Sequence, residues 1–151
     1  MTIKCKYLHT NLTVKDIERM QKFYVDVFGC RPLREIDHLK GKWIEDITSV
    51  DNGEIKYVHL RFPGHGRNGP ELELVQYLTP TKKYDITPDT YGLGHLSFGV
   101  EDVHKALEKI IAAGGGCVGK VVTVDVPKRG RLTEVYATDP EGNIIELQYY
   151  E

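Results

Sequence analysis

The sequence predicts an α+β fold built from two βαβββ repeats that pair into a curved, mostly antiparallel sheet with the helices outside. Three observations carry this. A strand-like run with a histidine near its start, then an aspartate, then a helical pattern, occurs twice. The first copy is Leu8-His9-Thr10-Asn11-Leu12-Thr13-Val14-Lys15-Asp16-Ile17 and the second is Gly94-His95-Leu96-Ser97-Phe98-Gly99-Val100-Glu101-Asp102-Val103. In both, a valine stands five residues after the histidine and an aspartate seven after it. Second, each copy is followed by further strand patterns. Third, a stretch rich in proline, lysine and threonine at about 79–92 reads as a linker between the halves. The expected organisation is one domain over 1–151, with repeat one at about 6–78 and repeat two at about 93–150.

The elements follow in order. Residues 7–14 alternate, with Leu8, Thr10, Leu12 and Val14 on one side and Tyr7, His9, Asn11 and Thr13 on the other. Asp16 is a good N-cap. Ile17, Met20, Tyr24, Val27 and Phe28 recur at helical spacing until Gly29 closes the helix. Residues 33–50 are less regular. Strands are expected at about 42–49 and 54–62, joined by a hairpin turn at Asp51-Asn52-Gly53. The loop at 63–70 is glycine-rich, but it lacks the Gly-Lys-Ser/Thr ending and the following helix of a phosphate cradle. A strand at 71–77 puts Glu71, Glu73, Val75 and Tyr77 on one face.

The second half restarts with a strand at 94–100, its His95, Ser97 and Gly99 on the polar face. Asp102 caps a helix whose stripe is Val103, Ala106, Leu107, Ile110 and Ile111, ended by Gly114-Gly115-Gly116. Strands are expected at about 117–125, 131–138 and 143–150. Asp139-Pro140-Glu141-Gly142 turns the chain into the last one, where Glu146 and Gln148 share a face.

Composition narrows the function. The chain is 40% hydrophobic and 28% charged, with a net charge of -2 and pI near 6.3. That balance gives no basic footprint for nucleic acid or an anionic membrane. No apolar run is long enough to span a bilayer, and the N-terminus lacks a signal-peptide core. The three cysteines are widely spaced, with no Cys-x-x-Cys pair. They fit a reducing cytoplasm and supply no thiolate metal site.

Four residues on polar strand faces stand out: His9, Glu73, His95 and Glu146. Each half gives one histidine from its first strand and one glutamate from its last. Two imidazoles and two carboxylates make a site for one divalent metal with water in the remaining positions. Ni, Co, Zn, Mn or Fe(II) all suit such donors. Any one of the four alone reads as a solvated strand side chain; their repetition in a duplicated unit favours the metal reading.

These residues resemble the vicinal oxygen chelate superfamily (the glyoxalase, bleomycin resistance and dioxygenase fold), and bacterial glyoxalase I-like proteins in particular. Leu8-His9-Thr10, Val14, Asp16, Arg19, Phe23-Tyr24 and Gly29 match its opening segment. Leu72-Glu73-Leu74, Gly94-His95, Asp139-Pro140-Glu141-Gly142 and Ile145-Glu146-Leu147 match later ones. The resemblance implies a homodimer with one metal on His9, Glu73, His95 and Glu146. It departs at Thr13 and Tyr77. There the glutathione-using enzyme places an arginine and an asparagine that hold the glutathione carboxylate. Lys128, Arg129 and Arg131 form a basic loop suited to an anionic small-molecule substrate.

The expected reaction is a lyase/isomerase step of the lactoylglutathione lyase-like type. A proton is abstracted next to a carbonyl, with Glu146 first and Glu73 second as base, while a divalent metal polarises the carbonyl and stabilises the enediolate or enolate. Asn11, Thr13, Tyr77 and Ser97 share polar faces with the ligands and are the expected substrate contacts, with Lys128 and Arg129. The alternatives are racemisation of an acyl-thioester such as methylmalonyl-CoA, an Fe(II) ring-cleaving dioxygenase, or a non-catalytic drug-binding resistance protein. The last would use Tyr57, Tyr77, Tyr84 and Tyr91.

Overall fold

The computed structural model describes residues 2–151 other than Pro80, Thr81 and Tyr84. Part of the expected linker, and Tyr84 as a binding aromatic, therefore lie outside the described residues. The chain divides into two compact units, Met1–Lys82 and Lys83–Glu151. The fold is α+β, and each unit has its own five-stranded sheet.

The first unit runs β1 (His9–Thr13), α1 (Ile17–Phe28), β2 (Arg31–Pro32), β3 (Asp37–Lys40), α2 (Lys42–Thr48), β4 (Glu54–Arg61) and β5 (Glu71–Tyr77). Its sheet order is β1-β5-β4-β2, with β3 also on β4. The β1–β5 pair is parallel and the others are antiparallel. The second unit runs β6 (Leu96–Gly99), α3 (Val103–Ala112), β7 (Gly116–Cys117), β8 (Val122–Val126), β9 (Gly130–Thr138) and β10 (Ile144–Tyr150). Its order, β6-β10-β9-β7 with β8 also on β9, repeats the first, again with one parallel pair, β6–β10.

The helix signals hold. The Asp16 side chain accepts from Arg19 N, and Gly29 closes α1 at φ 72°, a left-handed angle that glycine adopts without strain. Ile17, Met20, Phe23 and Tyr24 are buried as α1 lies on β4 and β5, whose Val58, Leu60, Leu72 and Leu74 are buried too. Each such side chain contributes about 1.5–3 kcal/mol. Gln76 Oε1 accepts from Ile17 N at 3.1 Å, tying the start of α1 to β5. In the second unit Asp102 caps α3, and Val103 and Ile110 are buried. Ile111, expected on the same stripe, is half exposed. Gly115 passes close to β9, where a Cβ would meet Thr138 O at 2.3 Å.

Residues 42–49 are a correction, because they form α2 and not a strand. Lys42 pairs with Asp46 at i,i+4, and Ile44 is fully buried one turn from the Thr48 hydroxyl, which bonds back to Ile44 O. The turn at Asp51-Asn52-Gly53 exists, but it joins α2 to β4 and does not close a hairpin. Ile44 packs with Ile55 and Val75, and Leu39, Tyr57 and Tyr77 pack around them. The single strand expected at 117–125 is likewise two, β7 and β8.

Those split strands reveal a finer repeat. Residues 33–36 stand as four residues opposite Val58 and His59, between β2 and β3. Residues 118–121 stand as four opposite Val135 and Tyr136, between β7 and β8. Both bulges start with the same bond, Leu33 N to His59 O and Val118 N to Tyr136 O, each 2.9 Å. Counting each split strand once, both units are βαβββ, with α2 inserted in the first.

Candidate metal centre

Alternation along the strands decides which side chains share a face. In the first unit Leu72 and Leu74 are buried, which turns Glu71 and Glu73 to the opposite face of β5. Val58 and Leu60 do the same for Tyr57, His59 and Arg61 on β4. On β1, His9, Asn11 and Thr13 are the exposed residues.

His9 Nε2 lies 3.4 Å from Glu73 Oε2. Asn11 Nδ2 donates to the same oxygen at 3.0 Å, and Thr13 Oγ1 donates to Asn11 Oδ1 at 3.4 Å. In the second unit His95 Nε2 lies 3.7 Å from Glu146 Oε2. That oxygen accepts from Ser97 Oγ at 2.5 Å and from Gln148 Nε2 at 3.2 Å, while Gln148 also donates to Ser97 Oγ at 2.7 Å. So each unit presents an imidazole nitrogen and a carboxylate oxygen that are close but not bonded to each other. Their side chains are partly buried, Glu73 at 21% and Glu146 at 15% exposure.

This spacing bears on a metal. Neighbouring ligands at about 2.1 Å from an octahedral ion lie about 3 Å apart. Each His–Glu pair is a little wider than that, and its carboxylate is already oriented by a polar neighbour, as ligating carboxylates are. The donor chemistry of each pair therefore fits a divalent ion. Among the described residues no three His, Cys, Asp or Glu side chains cluster as a ready-made site.

One site residue escaped the sequence reading. His59 sits on β4 directly opposite Glu73 in the β4–β5 ladder. Its Nε2 is 3.3 Å from Glu73 Oε1 and its Nδ1 is 3.1 Å from Glu71 Oε2, without the alignment of a hydrogen bond at Nδ1. Its ring meets that of His9 edge-on, with centroids 5.2 Å apart. Arg61 Nη2 donates to Glu71 Oε1 at 3.3 Å. His59 and Glu71 also line a cavity of about 630 Å³ with Leu33, Arg34 and Tyr57. The only signal for His59 in the sequence was its alternation with Tyr57 and Arg61, which marks a face and not a role. Its counterpart opposite Glu146 is Tyr136, whose ring lies 5.1 Å from that of His95. Burial, then the charges of Glu146 and Glu134, push the Tyr136 phenol above its usual pKa, so it stays neutral.

The model for the Glyoxalase/Bleomycin resistance protein/Dioxygenase superfamily matches residues 6–147. The chain belongs to this superfamily. It is 31% identical over 142 residues to a probable lactoylglutathione lyase of Synechocystis sp., covering 93% of this chain and 92% of that protein. It is 33% identical to a lactoylglutathione lyase of Haemophilus influenzae, covering 93% and 89%. A solved glyoxalase family protein from Bacillus cereus shares the fold, with a TM-score of 0.79 and 19% identity over 99% of this chain and 98% of that one.

Within this superfamily member the expected substrate contacts fall in different places. Asn11 and Ser97 are bonded to the two carboxylates. Thr13 faces Asn11, and Tyr77 packs beside Ile44, Ile55 and Val75. Lys128 and Arg129 sit in the β8–β9 turn, where Arg129 lies over the Tyr150 ring at 5.0 Å. Tyr150 is four positions along β10 from Glu146, roughly 14 Å at the rise of a strand. Within the second unit, then, these two cations stand apart from the His95–Glu146 pair. No helix among the described residues is long and apolar enough to cross a membrane.

Proposed function

We propose that the chain is a divalent-metal-dependent lyase/isomerase of the glyoxalase I (lactoylglutathione lyase-like) type. The observation that carries this is the repeated pair, His9 with Glu73 at 3.4 Å and His95 with Glu146 at 3.7 Å. Each carboxylate is held by a side chain at the matching position, Asn11 in one half and Ser97 in the other. The names of the relatives, lactoylglutathione lyase, support the reaction class.

His9, Glu73, His95 and Glu146 would hold one ion (Ni, Co, Zn, Mn or Fe) between them, supplied by one chain or by two copies in a homodimer. When bound, the ion supplies a Lewis acid that polarises the substrate carbonyl. Glu146 removes the proton from the carbon next to the carbonyl and returns it to the neighbouring carbon. Ser97 and Gln148 fix its Oε2 and leave Oε1 to face the substrate; among the described residues Oε1 has no bonded partner. Glu73 is the second candidate base. Lys128 and Arg129 are assigned to the anionic end of a small-molecule substrate. Three unpaired cysteines suit a cytoplasmic setting.

Thr13 and Tyr77 favour a second reading, racemisation of an acyl-thioester such as methylmalonyl-CoA. Neither offers a cation or amide to a glutathione carboxylate, and both are engaged elsewhere. A panel in deuterated water decides, with Ni, Co, Zn or Mn added to methylglyoxal plus several thiols, or to methylmalonyl-CoA. Deuterium handling or turnover of a hemithioacetal supports the first reading, and exchange at the acyl-thioester supports the second. No exchange with any metal removes both.

A further inference from the structure

The two halves hold their carboxylates differently. Glu146 is gripped at one oxygen, Oε2, by Ser97 and Gln148. Glu73 is approached at both: Asn11 and His9 at Oε2, and His59 at Oε1. Behind His59 stand Glu71 and then Arg61, a row of imidazole, carboxylate and guanidinium along the β4–β5 ladder. The equivalent positions in the second unit are Tyr136, Ile144 and Thr138, which cannot build such a row. So the row is a specific addition to the first repeat and not a product of the shared fold.

The row also holds two of the three buried side-chain polar atoms left without a hydrogen bond among the described residues, His59 Nδ1 and Arg61 Nε. Buried polar atoms without a hydrogen bond are uncommon in folded chains, and two of them fall together in this row. His59 is about a quarter exposed, opposite Glu73 in register, and edge-on to His9. That placement limits how far the Glu73 carboxylate can swing.

We propose that His59 is a positioning residue: backed by Glu71 and Arg61, it fixes the Oε1 side of Glu73 so that Oε2 is presented beside His9 Nε2. The inference rests on Glu73 being a metal ligand, as proposed above. Outer partners of ligating carboxylates typically contribute 10–100-fold to metal affinity. In the second unit the Tyr136 phenol stands in the same place, so the Oε1 side of Glu146 has no such brace.

The test is Co(II) titration of the metal-stripped chain, read by chelator competition and by the Co(II) absorption spectrum, for wild type, His59→Leu, His59→Gln and Glu71→Gln. Far-UV circular dichroism checks each fold. His59→Leu should weaken binding about tenfold or more and alter the spectrum. His59→Gln keeps an N–H donor and should recover most of the loss. Glu71→Gln should fall between, and it decides the matter should His59→Leu not fold. Wild-type affinity and spectrum in His59→Leu, or equal losses in His59→Leu and His59→Gln, overturn the brace while leaving the metal reading intact. A wild-type chain that binds no Co(II) overturns both.

Discussion

Glu73 takes its β1 neighbour in register from Asn11, not His9; the His9 imidazole reaches Glu73 Oε2 diagonally, across 3.4 Å. The second unit repeats the relation, with Ser97 in register with Glu146 and His95 ahead of it. A parallel pair of strands thus places a small polar residue beside each carboxylate and a histidine one step along. In both units the small residue bonds the carboxylate and the histidine Nε2 lies 3.4–3.7 Å from the same oxygen.

Replacing Glu146 by Gln keeps the shape and removes the proposed base. Proton exchange next to the carbonyl should drop by 10²–10⁴-fold. The melting temperature should stay close to wild type, because Ser97 still has an oxygen to bond. Solvent deuterium incorporation checks this; surviving exchange places the base elsewhere, with Glu73 first.

Asp139 is the buried acidic side chain that shapes the turn into β10. It is 2% exposed, and its carboxylate accepts from Glu141 N, Asn143 N and Asn143 Nδ2 at 2.7–2.9 Å. Asp139→Ala strands those donors and should cost about 2–4 kcal/mol by urea unfolding. Asp139→Asn, which keeps the oxygen facing the two backbone N–H groups, should cost less than half as much. Equal losses in the two would mean that the turn does not depend on those bonds.

Helix α2 is held by Ile44, which is fully buried, while Trp43 beside it is half exposed. Ile44→Ala should destabilise by about 2–4 kcal/mol, and Trp43→Ala by about 0.5 kcal/mol or less. Thermal melts of the two variants compare them. The reverse order would return residues 42–49 to a strand with the opposite face inward.

Burial pushes the Cys30 thiol up to about 12, whereas Cys5 and Cys117 are exposed. A thiol reagent at neutral pH should label two cysteines in the folded chain and three in denaturant. The unfolded thiol ionises near 9 and the folded one near 12. The protonated form is therefore favoured by folding, and its stabilisation is lost as pH rises from about 9 to 12. Cys30→Val should flatten that alkaline decline; an unchanged decline would assign it to other groups.

Much of this was legible because it rests on local rules. Asp16 and Asp102 before apolar periodicity, with Gly29 after it, specify α1 and α3 through caps and burial alone. The duplicated histidine stretch and the alternation around Glu73 and Glu146 point each histidine to the face of the glutamate it meets, His9 beside Glu73 and His95 beside Glu146. Residues 42–49 form a helix where the pattern suggests a strand, because Trp43, Ile44 and Ile47 are too few to separate the two periods. His59 is not legible, because its contact with Glu73 comes from cross-strand register, which no spacing along one strand encodes. Alternation along β5 gives the face of Tyr77, but its packing against Ile44 and Ile55 depends on α2 and is not encoded in that strand.

Metal binding by the purified chain is the most direct test. Equilibrium dialysis against Ni(II) or Co(II) should give one ion for each set of His9, Glu73, His95 and Glu146, with affinity falling at least a hundredfold in His9→Ala, Glu73→Ala, His95→Ala and Glu146→Ala alike. A chain that stays metal-free, or one that binds fully after both donors of one half are removed, would contradict the shared site.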